Sequence, residues 1–227
     1  MFFHRLGICC SEFLGLFKVM FQVVYGVWKL SALSKPRITI FGGGRLDQKT
    51  KYTQQAFDLA ERFVENGVTV LTGGGAGVMH AANCGALSKT KGKKHVKSVG
   101  IGVKELGEGQ NPCVQEYFEL EYFFARKWLL TRYSVAFIIF PGGFGTLDEL
   151  AEVITLVQTK KLPRVPIILF SKSYWKDFME WIHFSAIEKG LIKKEHLELF
   201  TVTDDLDEVF DIIHEFCECM MTQKKKK

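Results

Sequence analysis

Val135-Ala136-Phe137-Ile138-Ile139-Phe140-Pro141-Gly142-Gly143-Phe144-Gly145-Thr146-Leu147-Asp148-Glu149 reads as strand, glycine turn and helix in immediate succession. An apolar, partly β-branched run leads into three glycines, and a helical pattern follows. Glycines allow the backbone to approach an anion closely, and the helix directs its unpaired N–H groups and the positive end of its dipole to the same point. The run therefore predicts a phosphate-binding loop. Glu149 then stands about one turn into the helix, where it either caps the helix or does chemistry.

The same pattern recurs on both sides. A strand over Arg37 to Phe41 runs into glycines 42 to 44 and then a helix near Lys51 to Asn66, ended by Gly67. A strand over Val68 to Leu71 runs into Thr72-Gly73-Gly74-Gly75-Ala76-Gly77 and a helix from Val78 to Leu87. A third strand, Ser98 to Val103, precedes an irregular stretch with Gly107, Gly109 and Pro112, then a helix from Phe123 to Tyr133 carrying Arg126 and Lys127. After the central loop come a strand at Val165 to Phe170 and helices at Tyr174 to Lys189 and Asp205 to Met221. Strands separated by helices predict an α/β fold with a doubly wound, mainly parallel sheet. All strand-to-helix loops of such a sheet open on one edge, so three glycine loops there predict a nucleotide-sized ligand. None spells the dinucleotide fingerprint or the P-loop, which argues against a standard NAD site or a Walker ATPase.

The 227 residues suit one nucleotide-binding domain over 36–222, preceded by a helical segment over 1–35 and followed by a lysine tail over 223–227. The formal charge of +5 comes largely from Lys224 to Lys227, leaving the body nearly neutral, and no nucleic-acid partner is expected. The local cluster of Lys89, Lys91, Lys93, Lys94, His95 and Lys97 reads as a solvated loop. Six cysteines show no metal or redox spacing and read as reduced thiols, which makes the cytoplasm the default location; no His, Cys and carboxylate grouping in the sequence predicts a metal. Phe13 to Leu33 is long and apolar enough to raise a membrane span, but Lys18, Gln22 and Lys29 oppose it, since a lysine near mid-bilayer costs roughly 2.5–3.5 kcal/mol. A packed amphipathic helix is the expectation and peripheral membrane contact the alternative.

Pro141-Gly142-Gly143-Phe144-Gly145-Thr146-Leu147-Asp148-Glu149 resembles the PGGxGTxxE signature of the LOG family, the cytokinin riboside 5′-monophosphate phosphoribohydrolases and bacterial relatives often mislabelled lysine decarboxylases. Gly73 to Met79 is similar to that family's GGGxxGxM loop, and Arg126-Lys127 to its RK pair; the resemblance spans roughly Ile38 to Phe184. It implies a Rossmann-like fold, a homodimer or larger assembly, and hydrolysis of a nucleoside 5′-monophosphate to free base and ribose 5-phosphate. Plant-type members carry His and Glu before the arginine where this chain has Phe124 and Ala125, and longer bacterial members often carry Glu where it has His80. Those departures leave the base open.

By motif position the resemblance implies Glu149 and Arg126 as the functional pair. A carboxylate beneath an anomeric carbon stabilises oxocarbenium charge and activates water, and an arginine fork positions phosphate or ribose hydroxyls. The phosphate is expected on Gly142, Gly143, Gly145 and Thr146, with Gly74, Gly75, Gly77 and Asn83 completing the nucleotide site and no cofactor required. Alternatives stand beside these roles. Thr146-x-x-Glu149 is also a capping box, Asn83 is as well suited to a local structural bond, Arg126 to a surface ion pair, and Lys127 reads as solvent-facing or peripheral. If Glu149 only caps, the chain is a nucleotide-binding or sensing protein. The aromatic segment Tyr117 to Trp128 and the N-terminal helix are the expected interface material.

Overall fold

Arg37–Phe41, buried along its whole length, forms the central strand β1 of a computed structural model that describes residues 2–104 and 109–225. On one side β1 pairs with β2 (Thr69–Thr72), which pairs with β3 (Ser98–Val103) and then β4 (Glu116–Leu120). On the other it pairs with β5 (Phe137–Ile139), followed by β6 (Ile167–Phe170) and β7 (Thr201–Thr203). Every pairing is parallel and the order is β4-β3-β2-β1-β5-β6-β7. The chain thus winds outward from β1 in one direction and then restarts beside it in the other. That reversal places a topological switch point between the carboxyl ends of β1 and β5, where such sheets open a crevice.

Strands buried on both faces need helices on both. On one face Ile38 and Ile40 pack under α2 (Lys51–Glu65), α3 (Val78–Ser88) and α7 (Leu206–Lys225), which contribute Leu59, Phe63, Ala82, Val209 and Ile213. On the other, Phe41, Phe137 and Ile139 pack under α4 (Phe123–Arg132), α5 (Phe144–Gln158) and α6 (Lys172–Trp181), with Leu129, Val153 and Trp175 at the contact.

The N-terminal helix α1 (Phe2–Ser31) falls within the segment expected to be helical and lies against α4 and β4. Gly26 sits so close to Leu129 and Phe118 that a side chain there would reach within 2.5 Å of the leucine. The three polar residues that argue against a span all bind the domain: Lys18 pairs with Glu121 at 3.1 Å, Gln22 accepts the Glu121 N–H, and Lys29 pairs with Glu116 at 3.1 Å. Buried Arg37 gathers the helix end, donating to the carbonyls of Leu30, Leu33 and Tyr133. The outer arc, including Phe13, Phe17, Val24 and Trp28, is exposed, and Glu12–Ser31 is long and apolar enough to cross a membrane.

Several boundaries differ from the sequence reading. The stretch read as irregular holds β4, an edge strand whose outer residues are half-polar, and β7 is another edge strand of three residues. The helix after β6 stops at Trp181 and continues as a π-helical turn over Ile182–Ile187. α7 runs through the first lysines of the tail to Lys225, while Lys226, Lys227 and Gly107 lie outside the described residues.

Candidate active site

The three glycine loops meet at the switch point and hold one another. Gly43 donates its N–H to Pro141 O at 2.9 Å and accepts from Val78 N at 3.1 Å, so the loop after β1 bridges the other two. Gly77 has a left-handed backbone, φ +62°, and an added Cβ would lie 2.1 Å from Gly43 O. Only a residue without a side chain allows that contact. Gly142 lies over Thr146 Oγ1, and its carbonyl accepts a hydrogen bond from the Tyr174 hydroxyl, a support from α6 that no glycine motif signals.

A cavity of about 590 Å³ opens beside these loops, lined by Gly42 to Arg45, Met79, Phe123, Arg126, Lys127 and the first turns of α5 from Gly143 to Glu149. Gly143 is the N-cap of α5, so its first turn comprises Phe144, Gly145 and Thr146. Those N–H groups have no intrahelical acceptor and lie at the positive end of the dipole. An added Cβ at Gly143 or Gly145 would meet nothing within 4 Å, which leaves the backbone there open to a ligand.

Because α5 begins at Phe144, Thr146 lies inside the first turn and Glu149 in the second, so the Thr146–Glu149 capping box does not form. Glu149 turns instead to Arg126 on α4. Arg126 Nη2 donates to Glu149 Oε1 at 3.1 Å, with the two side chains 8% and 13% exposed. The guanidinium packs against Gly73, where a side chain would come within 2.5 Å of Nη2. The second glycine loop thus serves as a wall behind Arg126.

Among the expected nucleotide contacts, Gly143, Gly145 and Thr146 line the cavity. Gly74, Gly75 and Gly77 do not; they are buried, and the Gly74 N–H is engaged by Thr72 Oγ1. Asn83 is corrected in the same sense. It is fully buried, its Oδ1 accepts from Thr72 Oγ1 and Asn111 Nδ2, and its Nδ2 donates to Ser98 Oγ and Val99 O. Its amide is engaged on the floor of the loop.

Two features escape the sequence reading. Lys127, expected to be peripheral, lines the cavity and bridges Asp148 at 3.1 Å and Glu152 at 2.9 Å on α5. Burial works against its charge, but the hydrogen bonds to Glu152 and Asp148 outweigh it and raise the pKa above the usual lysine value. The spacing of Asp148 and Glu152, four residues apart on one helix face, was the available signal. The second is a correction: Cys84 and Cys113, expected as reduced thiols, form a disulfide, and His80 stands beside them. A separation of 29 residues has no motif, and only the return of the chain past α3 brings the pair together.

Comparison with known proteins places this geometry among relatives. The profile of a family described as possible lysine decarboxylase matches residues 79–213. A rice protein named as a probable cytokinin riboside 5′-monophosphate phosphoribohydrolase is 31% identical over 185 residues, 79% of this chain and 84% of the relative. An Arabidopsis thaliana protein named as a cytokinin riboside 5′-monophosphate phosphoribohydrolase is 30% identical over 81% of this chain and 84% of its own. Among solved structures, the molybdenum cofactor binding protein of Rippkaea orientalis superposes with a TM-score of 0.58 at 21% identity, covering 80% of this chain and 97% of that one. The molybdenum cofactor carrier protein of Chlamydomonas reinhardtii gives 0.54 at 22%, covering 80% and 98%. At that identity the two structures share the fold.

Proposed function

The chain belongs to the family described as possible lysine decarboxylase, together with the plant phosphoribohydrolases, and we propose that it hydrolyses the N-glycosidic bond of a nucleoside 5′-monophosphate to free base and ribose 5-phosphate. The observation that carries this reading is the Arg126–Glu149 pair, 3.1 Å apart in the wall of the glycine-loop cavity. The competing reading, a binding protein in which Glu149 caps α5, needs Thr146 as the N-cap, whereas the N-cap is Gly143.

In the proposed reaction the 5′-phosphate sits on the first-turn N–H groups of α5, where helix dipole and open backbone favour an anion. Arg126 holds ribose hydroxyls or phosphate through its planar fork and sets the sugar against Glu149. As the bond to the base lengthens, positive charge develops on the ribose ring, and the Glu149 carboxylate stabilises it. Water attacks the anomeric carbon as its proton passes to Glu149, the departing base takes a proton from solvent, and Glu149 returns its own proton to solvent. Neither step calls on a metal or organic cofactor.

A pyridoxal phosphate decarboxylase, as the family description suggests, needs a lysine free to form a Schiff base. Lys127 is the lysine lining the cavity, and Asp148 and Glu152 hold it as an ammonium ion with a raised pKa. That environment does not fit the cofactor.

Assembly into homodimers belongs to the same proposal, since exposed Phe123, Phe124 and Trp128 on α4 adjoin the exposed arc of α1 in one apolar surface. Incubation with AMP, GMP, CMP, UMP and an N6-substituted AMP, followed by assay for free base and ribose 5-phosphate, tests the activity. Release from at least one nucleotide is expected; binding of monophosphates without any release overturns it.

A further inference from the structure

We propose that His80, Cys84 and Cys113 form a binding site for Zn²⁺ when the Cys84–Cys113 disulfide is reduced. His80 and Cys84 are four residues apart on α3 and so share one helix face, and Cys113 approaches that face from the segment between β3 and β4. Their ligand atoms all lie within 4.8 Å of one another. Ligands on one tetrahedral zinc, with Zn–S about 2.3 Å and Zn–N about 2.0 Å, lie roughly 3.5–3.8 Å apart, so on reduction side-chain rotations separate the two sulfurs and bring the histidine ring to the same distance.

A second observation points to a ligand. His80 is half-buried, and its ring makes no hydrogen bond among the described residues, which leaves a nitrogen lone pair available beside the sulfurs. Two thiolates and an imidazole are a borderline-soft set that suits zinc, and three protein ligands leave a fourth position for water. The backbone that carries Cys113 is already fixed. Its N–H donates to Asn111 Oδ1, while Asn111 Nδ2 donates to Gly74 O, Gly75 O and Asn83 Oδ1.

Chemically the two states exclude each other. A phosphine reductant with water supplies two electrons and two protons, breaking the Sγ–Sγ bond to give two thiols as the phosphine becomes its oxide. Zn²⁺ then displaces both thiol protons to solvent, and the bound pair of thiolates balances the ion's charge.

The test uses the full chain with Cys9→Ser, Cys10→Ser and Cys219→Ser, so that Cys84, Cys113 and the buried Cys217 remain. Phosphine-reduced protein, freed of reductant, is titrated with Zn²⁺ against a chromophoric chelator, and separately with Co²⁺. One zinc per chain is expected, with thiolate-to-cobalt charge-transfer absorption, and neither in the oxidised protein. His80→Ala, which leaves the disulfide intact, is expected to weaken zinc binding by more than roughly 100-fold after reduction, beyond the usual loss on removing an outer partner of a metal ligand. Equal binding by reduced and oxidised protein, or a cobalt spectrum without thiolate bands, overturns the proposal. Both readings use the unmutated pair, so a folding defect in a variant does not obscure them.

Discussion

Arg126 Nη2 and Glu149 Oε1 lie 3.1 Å apart although their residues sit on different helices, and both side chains are largely withdrawn from water. α4 follows β4 at one edge of the sheet, whereas α5 follows β5 at the switch point. The pair therefore reports how the sheet is wound. On the proposed reading a carboxylate beside the phosphate weakens anion binding, a cost that a role in the chemistry offsets and a cap does not.

Glu149→Gln separates those roles. The amide keeps the shape but supplies neither the charge that stabilises an oxocarbenium state nor a base, so kcat for base release should fall by roughly 10²–10⁴-fold. Nucleotide affinity should hold or tighten, because a negative charge near the phosphate is gone. Single-turnover kinetics beside equilibrium binding of the monophosphate gives both numbers; a variant that binds poorly while keeping wild-type kcat would assign Glu149 to positioning instead.

Two glycines of the three loops should respond to alanine with opposite signs. At Gly77 the φ of +62° and the approach of Gly43 O to 2.1 Å from a built Cβ leave no room, and the strained backbone alone costs about 1–3 kcal/mol. At Gly145, inside α5, a Cβ meets nothing and helix propensity favours alanine by about 0.5–1 kcal/mol. Urea unfolding of Gly77→Ala and Gly145→Ala should show clear destabilisation in the first and none in the second. Gly145→Ala should still impair phosphate binding if the open backbone at that turn is where the anion sits.

The alternation of strand and helix was legible because β1, β3 and β5 are apolar runs ending in glycine or a turn, and their packing on both faces matches that pattern. β4 was not legible: Glu116, Tyr117 and Glu119 interrupt its apolar residues, as an edge strand permits, and its place is set by pairing with β3. In the candidate site the motif singled out Arg126 and Glu149, but its capping-box reading put the N-cap at Thr146, three residues past Gly143, since glycine at the N-cap carries no side-chain signal. Asn83 shows the opposite failure. A polar residue after a glycine loop reads as a ligand contact until Thr72, Ser98 and Asn111 close around it, and two of those arrive from other strands or loops.

Lys127 ties α4 to α5 beside the Arg126–Glu149 pair, and its contribution has a defined pH window. Its folded pKa is raised above 10.5 by Glu152 and Asp148, so the stabilisation is complete below the unfolded value and is lost as pH rises through the folded one. Lys127→Met should cost about 0.5–1 kcal/mol at neutral pH, the range of a partly exposed pair. The gap in stability between wild type and variant should close in the alkaline range; a gap that persists there would mean that the aliphatic stem, not the charge, carries the contact.

Cys217 offers a probe of α7 that needs no mutation. Its side chain is buried against the face of the sheet that holds Ile38 and Ile40, and burial pushes the thiol pKa up to about 11. The thiolate is the reactive form, so at pH 8 the native thiol should resist alkylation while exposed Cys9 and Cys219 react. The same shift favours the folded state less as pH rises beyond the ordinary thiol value of 9.0, because the unfolded thiol ionises first and the stabilisation is lost through the folded value. Mass spectrometry of iodoacetamide-treated protein across a urea series should therefore show Cys217 labelling rise with global unfolding. Labelling well before the fluorescence transition would show instead that α7 detaches from the sheet as a separate unit, and would place the weakest packing of the domain at its C-terminal helix.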